Sequence, residues 1–344
     1  MLAKTIIATQ GKKHLSYNFN NAIIPIAKNI TGGNKMLLNI VWLVLGFVFL
    51  IKGADYFVAG STALAKRMCI PPIVIGLTIV AMGTSAPEAG VSIASALNGS
   101  NAIAIGNVLG SNIANIFCIL GLCAILSPLA VQKNTVRYEI PFVCAITVLL
   151  GWVGMHFGNV SQLWAGIMLG IFALFLVYLF IVSRGTECEL PEDKDIGAVK
   201  IALFILLGLV ALVVGSKITV ASASDIARYI GVSERVIGLT IVAIGTSLPE
   251  LVTSAIAARH GQADIAIGNI VGSNIFNILF VLGIAGLILP IPFNPAFWFD
   301  ILVALLAVVL LWMFTVRHHR LTRGAGVVFV LIYLAYLVML IAGK

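Results

Sequence analysis

Residues Gly76–Leu129 read GLTIVAMGTSAPEAGVSIASALNGSNAIAIGNVLGSNIANIFCILGLCAILSPL, and residues Gly238–Ile291 read GLTIVAIGTSLPELVTSAIAARHGQADIAIGNIVGSNIFNILFVLGIAGLILPI. The second stretch lies over the first at a shift of 162 positions without a gap, and about half the positions are identical. Polar positions are kept as faithfully as apolar ones, which shared hydrophobicity alone does not produce. The register continues upstream, where Gly46 lies over Gly208 and Gly53 over Gly215. The chain is a duplication.

The surroundings of the repeat fix the solvent. Of 344 residues, 60% are hydrophobic and 10% charged, and the mean hydropathy is +1.10. Soluble domains carry roughly 25% charged residues, so this chain lacks the charge to cover a water-facing surface. Soluble enzyme, disulfide scaffold and disordered tail are excluded together. The net charge of +8 has no basic block with interleaved aromatics behind it, so it reads as an orientation signal and not as nucleic-acid binding. Five cysteines (Cys69, Cys118, Cys123, Cys144, Cys188) show no metal spacing and are expected to be small core residues.

Apolar runs predict an all-α membrane protein with ten transmembrane helices, near 36–57, 71–96, 102–126, 138–155, 161–182, 199–220, 234–257, 265–289, 296–316 and 325–342. The organisation expected is an arm at 1–35, a five-helix repeat at 36–182, a linker at 183–198 and a second five-helix repeat at 199–344. The arm is Asn- and Lys-rich, without a sustained apolar run or a signal-peptide order. Translation from Met36, or a dispensable arm, is the expectation there.

Five spans per half is an odd number, so the second half enters the membrane from the opposite side and the repeats are inverted. Inner connections then hold Lys66, Arg67, Lys133, Arg137, Arg184, Lys194, Lys200, Arg259, Arg317, Arg320 and Arg323, against Lys217, Arg228, Arg235 and Lys344 outside. The positive-inside bias places both termini outside and the linker in the cytoplasm of a cell inner (plasma) membrane. Five lysines of the arm oppose this orientation.

Only Glu88 and Glu250 among the acids sit deep in long apolar spans, with no Lys or Arg in the same stretch. A charge at membrane depth costs at least a few kcal/mol even on the mildest scales. Each glutamate is therefore protonated, paired or holding a cation. Each ends a Gly-Thr-Ser-x-Pro-Glu run, Gly83–Glu88 and Gly245–Glu250. Pro87 and Pro249 clash with the carbonyl four residues back, which breaks the helix and frees carbonyls around Gly83 and Gly245. Carbonyls beside a carboxylate make the all-oxygen donor set that calcium and sodium take. Helical spacing puts Thr78, Ala81, Ser85, Glu88 and Ser92 on one face, with Thr240, Ala243, Ser247, Glu250 and Ser254 as equivalents. Asn107, Ser111 and Asn115 share a face of the next span, as do Asn269, Ser273 and Asn277. Amides facing a carboxylate pair suit cation coordination.

The paired GTSxPE and GNxxGSNxxN segments resemble the two alpha-repeats of the sodium/calcium exchanger family, within the cation/calcium antiporters, in its short bacterial form. The resemblance implies ten helices, with long first and sixth helices gating a four-helix ion core. It implies calcium ligation by the carboxylates of Glu88 and Glu250 and the backbone carbonyls of Thr84 and Thr246. It also implies sodium sites that add Ala81, Ser85, Ser111 and Asn115, with Ala243, Ser247, Ser273 and Asn277. Some members, potassium-dependent ones included, carry aspartate where this chain has Asn277, so potassium co-transport is not the expectation.

The function this implies is a secondary antiporter, exchanging Na⁺ for Ca²⁺ at one shared midplane site. Those ions are substrates, no cofactor is implied, and no protein partner is evident. Two glutamates supply the charge that neutralises one Ca²⁺, so sodium and calcium compete for one cage. A calcium/proton or other divalent antiporter is the alternative, and a passive cation channel is a rival of a different class. Catalysis is not expected, because no HExxH occurs and the five histidines lie in connections or ends.

Overall fold

The computed structural model describes residues 35–99, 101–184, 197–232 and 243–342. Residues 1–34 of the expected arm, most of the linker and the start of the seventh expected span lie outside them, and Lys35 belongs to the first helix instead of the arm. In chain order the helices are α1 (Lys35–Met68), α2 (Pro72–Thr84), α3 (Ala86–Leu97), α4 (Ile103–Leu126), α5 (Thr135–Phe157) and α6 (Gln162–Arg184). They continue as α7 (Ala198–Tyr229), α8 (Ala243–Thr246), α9 (Leu248–Arg259), α10 (Ala263–Ile288), α11 (Phe297–Val316) and α12 (Arg323–Ala342). Among the described residues eight helices are long and apolar enough to cross a membrane, or nine if α2 and α3 form one span bent by 49°. The seventh expected span, 234–257, is described only from Ala243 on.

Helices α1 and α7 run 34 and 32 residues, about 51 and 48 Å against a hydrocarbon core of about 30 Å. Both outrun the spans expected at 36–57 and 199–220. Their last turns, AGSTALAKRM and TVASASDIARY, are too polar for a hydropathy reading but contain no proline. The two helices are antiparallel. A Cβ on Gly46 would lie 3.1 Å from the Gly215 carbonyl, one on Gly53 2.9 Å from that of Gly208, and one on Gly60 3.0 Å from Ile205 N. Glycine lets the two backbones touch there, as small residues do between membrane helices.

Two short strand pairs, not anticipated for an all-α chain, tie connections at the ends of the bundle. Strand β1 (Leu129–Ala130) pairs with β4 (Arg320–Leu321), and β2 (Asn159–Val160) pairs with β3 (Ile291–Pro292), both antiparallel. Helix α5 separates β1 from β2 by its full length, so the two pairs lie at opposite ends.

At the centre sit α4 and α10, and every residue of α10 from Ile265 to Ile275 is buried. Wide π-helical turns interrupt both helices, at Ala114–Leu120 and Phe276–Val281, and further ones occur at Gly76–Val80 and Thr135–Glu139. One cysteine reading needs correction. Cys69 is half-buried at φ 53° and disulfide-bonded, whereas Cys118, Cys123 and Cys144 are free thiols.

Candidate cation site

The two proline breaks have the same backbone. Ser85 stands at φ −82°, ψ 7° between α2 and α3, and Ser247 at φ −90°, ψ 9° between α8 and α9. In each case the proline follows two residues on, where its missing N–H costs the helix nothing. The break turns Glu88 and Glu250 inward in the first turns of α3 and α9, and each is only 1% exposed. A freed carbonyl expected near Gly245 does exist, but it is taken by the Ser216 hydroxyl of α7 at 2.8 Å. That serine carried no signal in the sequence.

The glutamates are held crosswise. Ser85 donates its hydroxyl to Glu250 Oε1 at 2.8 Å, and Ser247 donates to Glu88 Oε1 at 3.3 Å. Each carboxylate is thus held by the serine of the other half. The backbones behind them are held within each half. Asn107 Nδ2 donates to the Glu88 carbonyl and to Ser92 Oγ, as Asn269 Nδ2 does to the Glu250 carbonyl and Ser254 Oγ. Thr84, fully buried, donates to Asn269 Oδ1 at 2.9 Å. Ser273 reaches the Ala81 carbonyl at 3.4 Å.

The amides form a second crossed set. Asn115 Nδ2 donates to Asn274 Oδ1 at 3.0 Å, and Asn277 Nδ2 to Asn112 Oδ1 at 3.1 Å. With their NH₂ groups anchored, Asn115 Oδ1 and Asn277 Oδ1 are buried without a hydrogen-bond partner, and so are Glu88 Oε2 and Glu250 Oε2. Four acceptor-only oxygens, two from each half, are therefore buried and unsatisfied. Native proteins leave few such groups, each at a cost of about 1–3 kcal/mol or more. No ion pair to either glutamate occurs among the described residues. Nor do three or more His, Cys, Asp or Glu side chains converge there, so a cation would meet two carboxylates and neutral oxygens. That donor set fits a hard cation.

Of the residues singled out in the sequence, Ala81, Thr84, Ser85, Glu88, Ser111, Asn115, Ser247, Glu250, Ser273 and Asn277 are all buried. Thr246 is half-buried, and Ala243 opens α8 with its side chain outside the described set. The residues that sequence reasoning passed over are Asn112 and Asn274. They stand inside the repeated Gly-Ser-Asn, and their roles depend on contacts between the halves.

The family model described as "Sodium/calcium exchanger protein" matches residues 38–181 and 200–342. A putative antiporter CaxA from Alkalimonas amylolytica is 38% identical over 315 residues, covering 88% of this chain and 98% of that protein. The inner membrane protein YrbG of Escherichia coli (strain K12) is 38% identical over 328 residues, covering 89% and 97%. A solved structure of the sodium-calcium exchanger NCX_Mj, soaked with Na⁺ and Sr²⁺, superposes with a TM-score of 0.77 at 31% identity, covering 87% of this chain and 98% of that one. A match to the family model across both halves of the chain, and a solved exchanger alike over nearly its full length, make this integral membrane protein a member of the sodium/calcium exchanger family.

Proposed function

We propose that the chain exchanges Na⁺ for Ca²⁺ by alternating access at a single site, shared by two inverted five-helix repeats within a ten-helix bundle. The observation that carries this reading is the set of four buried, unpartnered oxygens on Glu88, Glu250, Asn115 and Asn277. The ligand set extends to Thr84, Thr246, Ser85, Ser247, Ala81, Ala243, Ser111 and Ser273. A cage of fixed charge −2 holds one divalent ion or its sodium replacement, not both, and exclusion at one site couples the two fluxes.

Inversion has its own support. Helices α1 and α7, which the repeat makes equivalent, are antiparallel. Strands β1 and β3, also equivalent, belong to pairs at opposite ends of the bundle. Contacts that exchange under the same shift, such as Ser85 with Glu250 and Ser247 with Glu88, are those of a two-fold arrangement. The repeats occupy 36–182 and 199–344, joined by a cytoplasmic linker at 183–198, with both termini outside. The inner-membrane location follows the similar Escherichia coli protein.

Calcium uptake by proteoliposomes of the intact protein, driven by an outward sodium gradient, tests the reading. Uptake that ignores sodium and follows a proton gradient would replace sodium by protons as the coupling ion. A calcium current that no opposing ion gradient drives would replace exchange by a channel.

A further inference from the structure

A second set of unsatisfied oxygens lies away from the shared cluster. Glu139, in the first turns of α5, is 4% exposed, and Thr135, one turn earlier, is 1% exposed. Glu139 Oε2 and Thr135 Oγ1 are both buried without a hydrogen-bond partner. Both residues line a cavity of about 350 Å³, with Gln132, Asn134 and Leu77 among its other walls. Tyr178 of α6 donates its hydroxyl to Glu139 Oε1 at 2.6 Å, the length of a charge-assisted bond to a carboxylate. That bond fixes the carboxylate plane and leaves Oε2 buried without a partner in a residue of the cavity wall. Gln132 donates its amide to Asp264 Oδ2 at 2.7 Å, so its own carbonyl oxygen remains an acceptor.

Among the described residues no ion pair reaches Glu139. Arg137 sits over the Tyr138 ring at 5.5 Å and Arg184 over the Phe180 ring at 4.4 Å. Three of its lining residues, Leu77, Thr135 and Glu139, lie in the π-helical turns Gly76–Val80 and Thr135–Glu139, and such turns gather at functional sites. Leu77 stands four residues before Ala81, whose carbonyl belongs to the shared cluster. The cavity therefore adjoins that cluster along α2.

We propose that this cavity is an accessory site for one monovalent cation, sodium under exchange conditions, held by Glu139 Oε2, Thr135 Oγ1 and the side-chain carbonyls of Gln132 and Asn134. The charge selects the valence. One carboxylate among the four ligands balances a monovalent ion, whereas a divalent ion would leave that ligand set with a net positive charge. The choice of sodium rests on the exchange reading above, but the site itself does not.

Thallium(I) soaks of crystals of the intact protein, read by anomalous scattering, test it. The expected result is a peak in the cavity of the parent protein, in addition to one at the Glu88–Glu250 cluster. Glu139→Gln, nearly isosteric, should lower the cavity occupancy roughly tenfold or more at a half-saturating concentration while the cluster peak stays. Thr135→Val, which keeps the carboxylate, should weaken it less. A parent cavity that stays empty while the cluster fills overturns the inference, as does a cavity peak that survives both substitutions. A cavity peak beside an empty cluster would uphold the accessory site and sink the shared-site reading instead.

Discussion

Asn112 and Asn274, separated by the repeat shift of 162 residues, each donate a side-chain amide to the other's main-chain carbonyl at 3.2 Å. Their own side-chain oxygens then accept from Asn277 and Asn115. The pair thus decides which end of each neighbouring amide is anchored and which is left buried without a partner. Replacing Asn112 by Leu removes the acceptor for Asn277 and lets that amide turn its NH₂ group toward the site. A donor in place of an oxygen beside a cation costs at least the 1–3 kcal/mol of a broken buried hydrogen bond, about tenfold or more in affinity. Asn112→Leu and Asn274→Leu are therefore expected to raise the calcium concentration for half-maximal exchange by about tenfold. An unchanged value in correctly inserted protein would show that the pair is only packing.

Removing one carboxylate is harsher. Glu88→Gln leaves a cage of charge −1 for a divalent ion, and Glu250→Gln does the same from the other half. The glutamine keeps the shape and still accepts from Ser247 or Ser85. Each variant is expected to insert and fold yet lose sodium-driven calcium uptake in proteoliposomes, because a divalent ion at this depth needs both charges. Uptake retained in both single variants would remove the shared site from consideration.

The contact between α1 and α7 has almost no spare room. A Cβ on Gly208 would stand 2.6 Å from Phe57 N and 2.8 Å from the Gly53 carbonyl, both main-chain atoms that cannot rotate away. Gly208→Ala should push the helices apart at a cost of about 1–3 kcal/mol. A fall in Tm of detergent-solubilised protein, together with slower exchange, is the expected outcome. A variant as stable and as fast as the parent would mean that the helices separate freely at that crossing.

How much of this was readable beforehand depends on where the information sits. Glu88 and Glu250 stood out because a charge in an apolar span is conspicuous and recurred with identical neighbours. The repeated motif was equally plain, since it is polar and its background is not. The orientation of the amides was hidden, because Asn112 and Asn274 act on Asn277 and Asn115 of the other repeated segment, and a motif does not show which residues meet between the two segments. The π-helical turns at Asn115 and Asn277 left no mark in residue type. Glu139 looked like an ordinary acid near a span boundary, since its partner Tyr178 lies 39 residues away on another helix. The lengths of α1 and α7 were underestimated because hydropathy reports lipid contact, while their last turns are helical for other reasons.

The arm at 1–35 has no counterpart in the second half of the chain. Deleting residues 2–35 is expected to leave sodium-driven calcium uptake within about twofold of the parent, a difference of roughly 0.4 kcal/mol in the activation barrier. Loss of uptake by a well-inserted deletion protein would assign the arm a role in transport.

Asn277→Asp puts the amide geometry to a sharper test. In the parent, Asn277 Nδ2 donates to Asn112 Oδ1 at 3.1 Å, and Oδ1 is left facing the site. Aspartate has nearly the same shape, but only its protonated form can donate to Asn112. Protonated, it reproduces the parent arrangement, with a hydroxyl toward Asn112 and a neutral carbonyl oxygen toward the glutamates. Ionised, it sets oxygen against oxygen at Asn112 and adds a third negative charge to the cage. A cage of charge −3 holds a divalent ion more firmly and releases it more slowly, so exchange should fall as pH rises and the new group loses its proton. The variant is thus expected to exchange near the parent rate at acidic pH and progressively more slowly toward alkaline pH, relative to the parent at each pH. The series is run with and without potassium, a monovalent cation expected to neutralise the added charge and restore the alkaline rate. Asn115→Asp, facing Asn274 through the matching bond, should behave alike if the two halves contribute equally. Superimposable pH profiles for parent and both variants, in either salt, would place these amides outside the ion path.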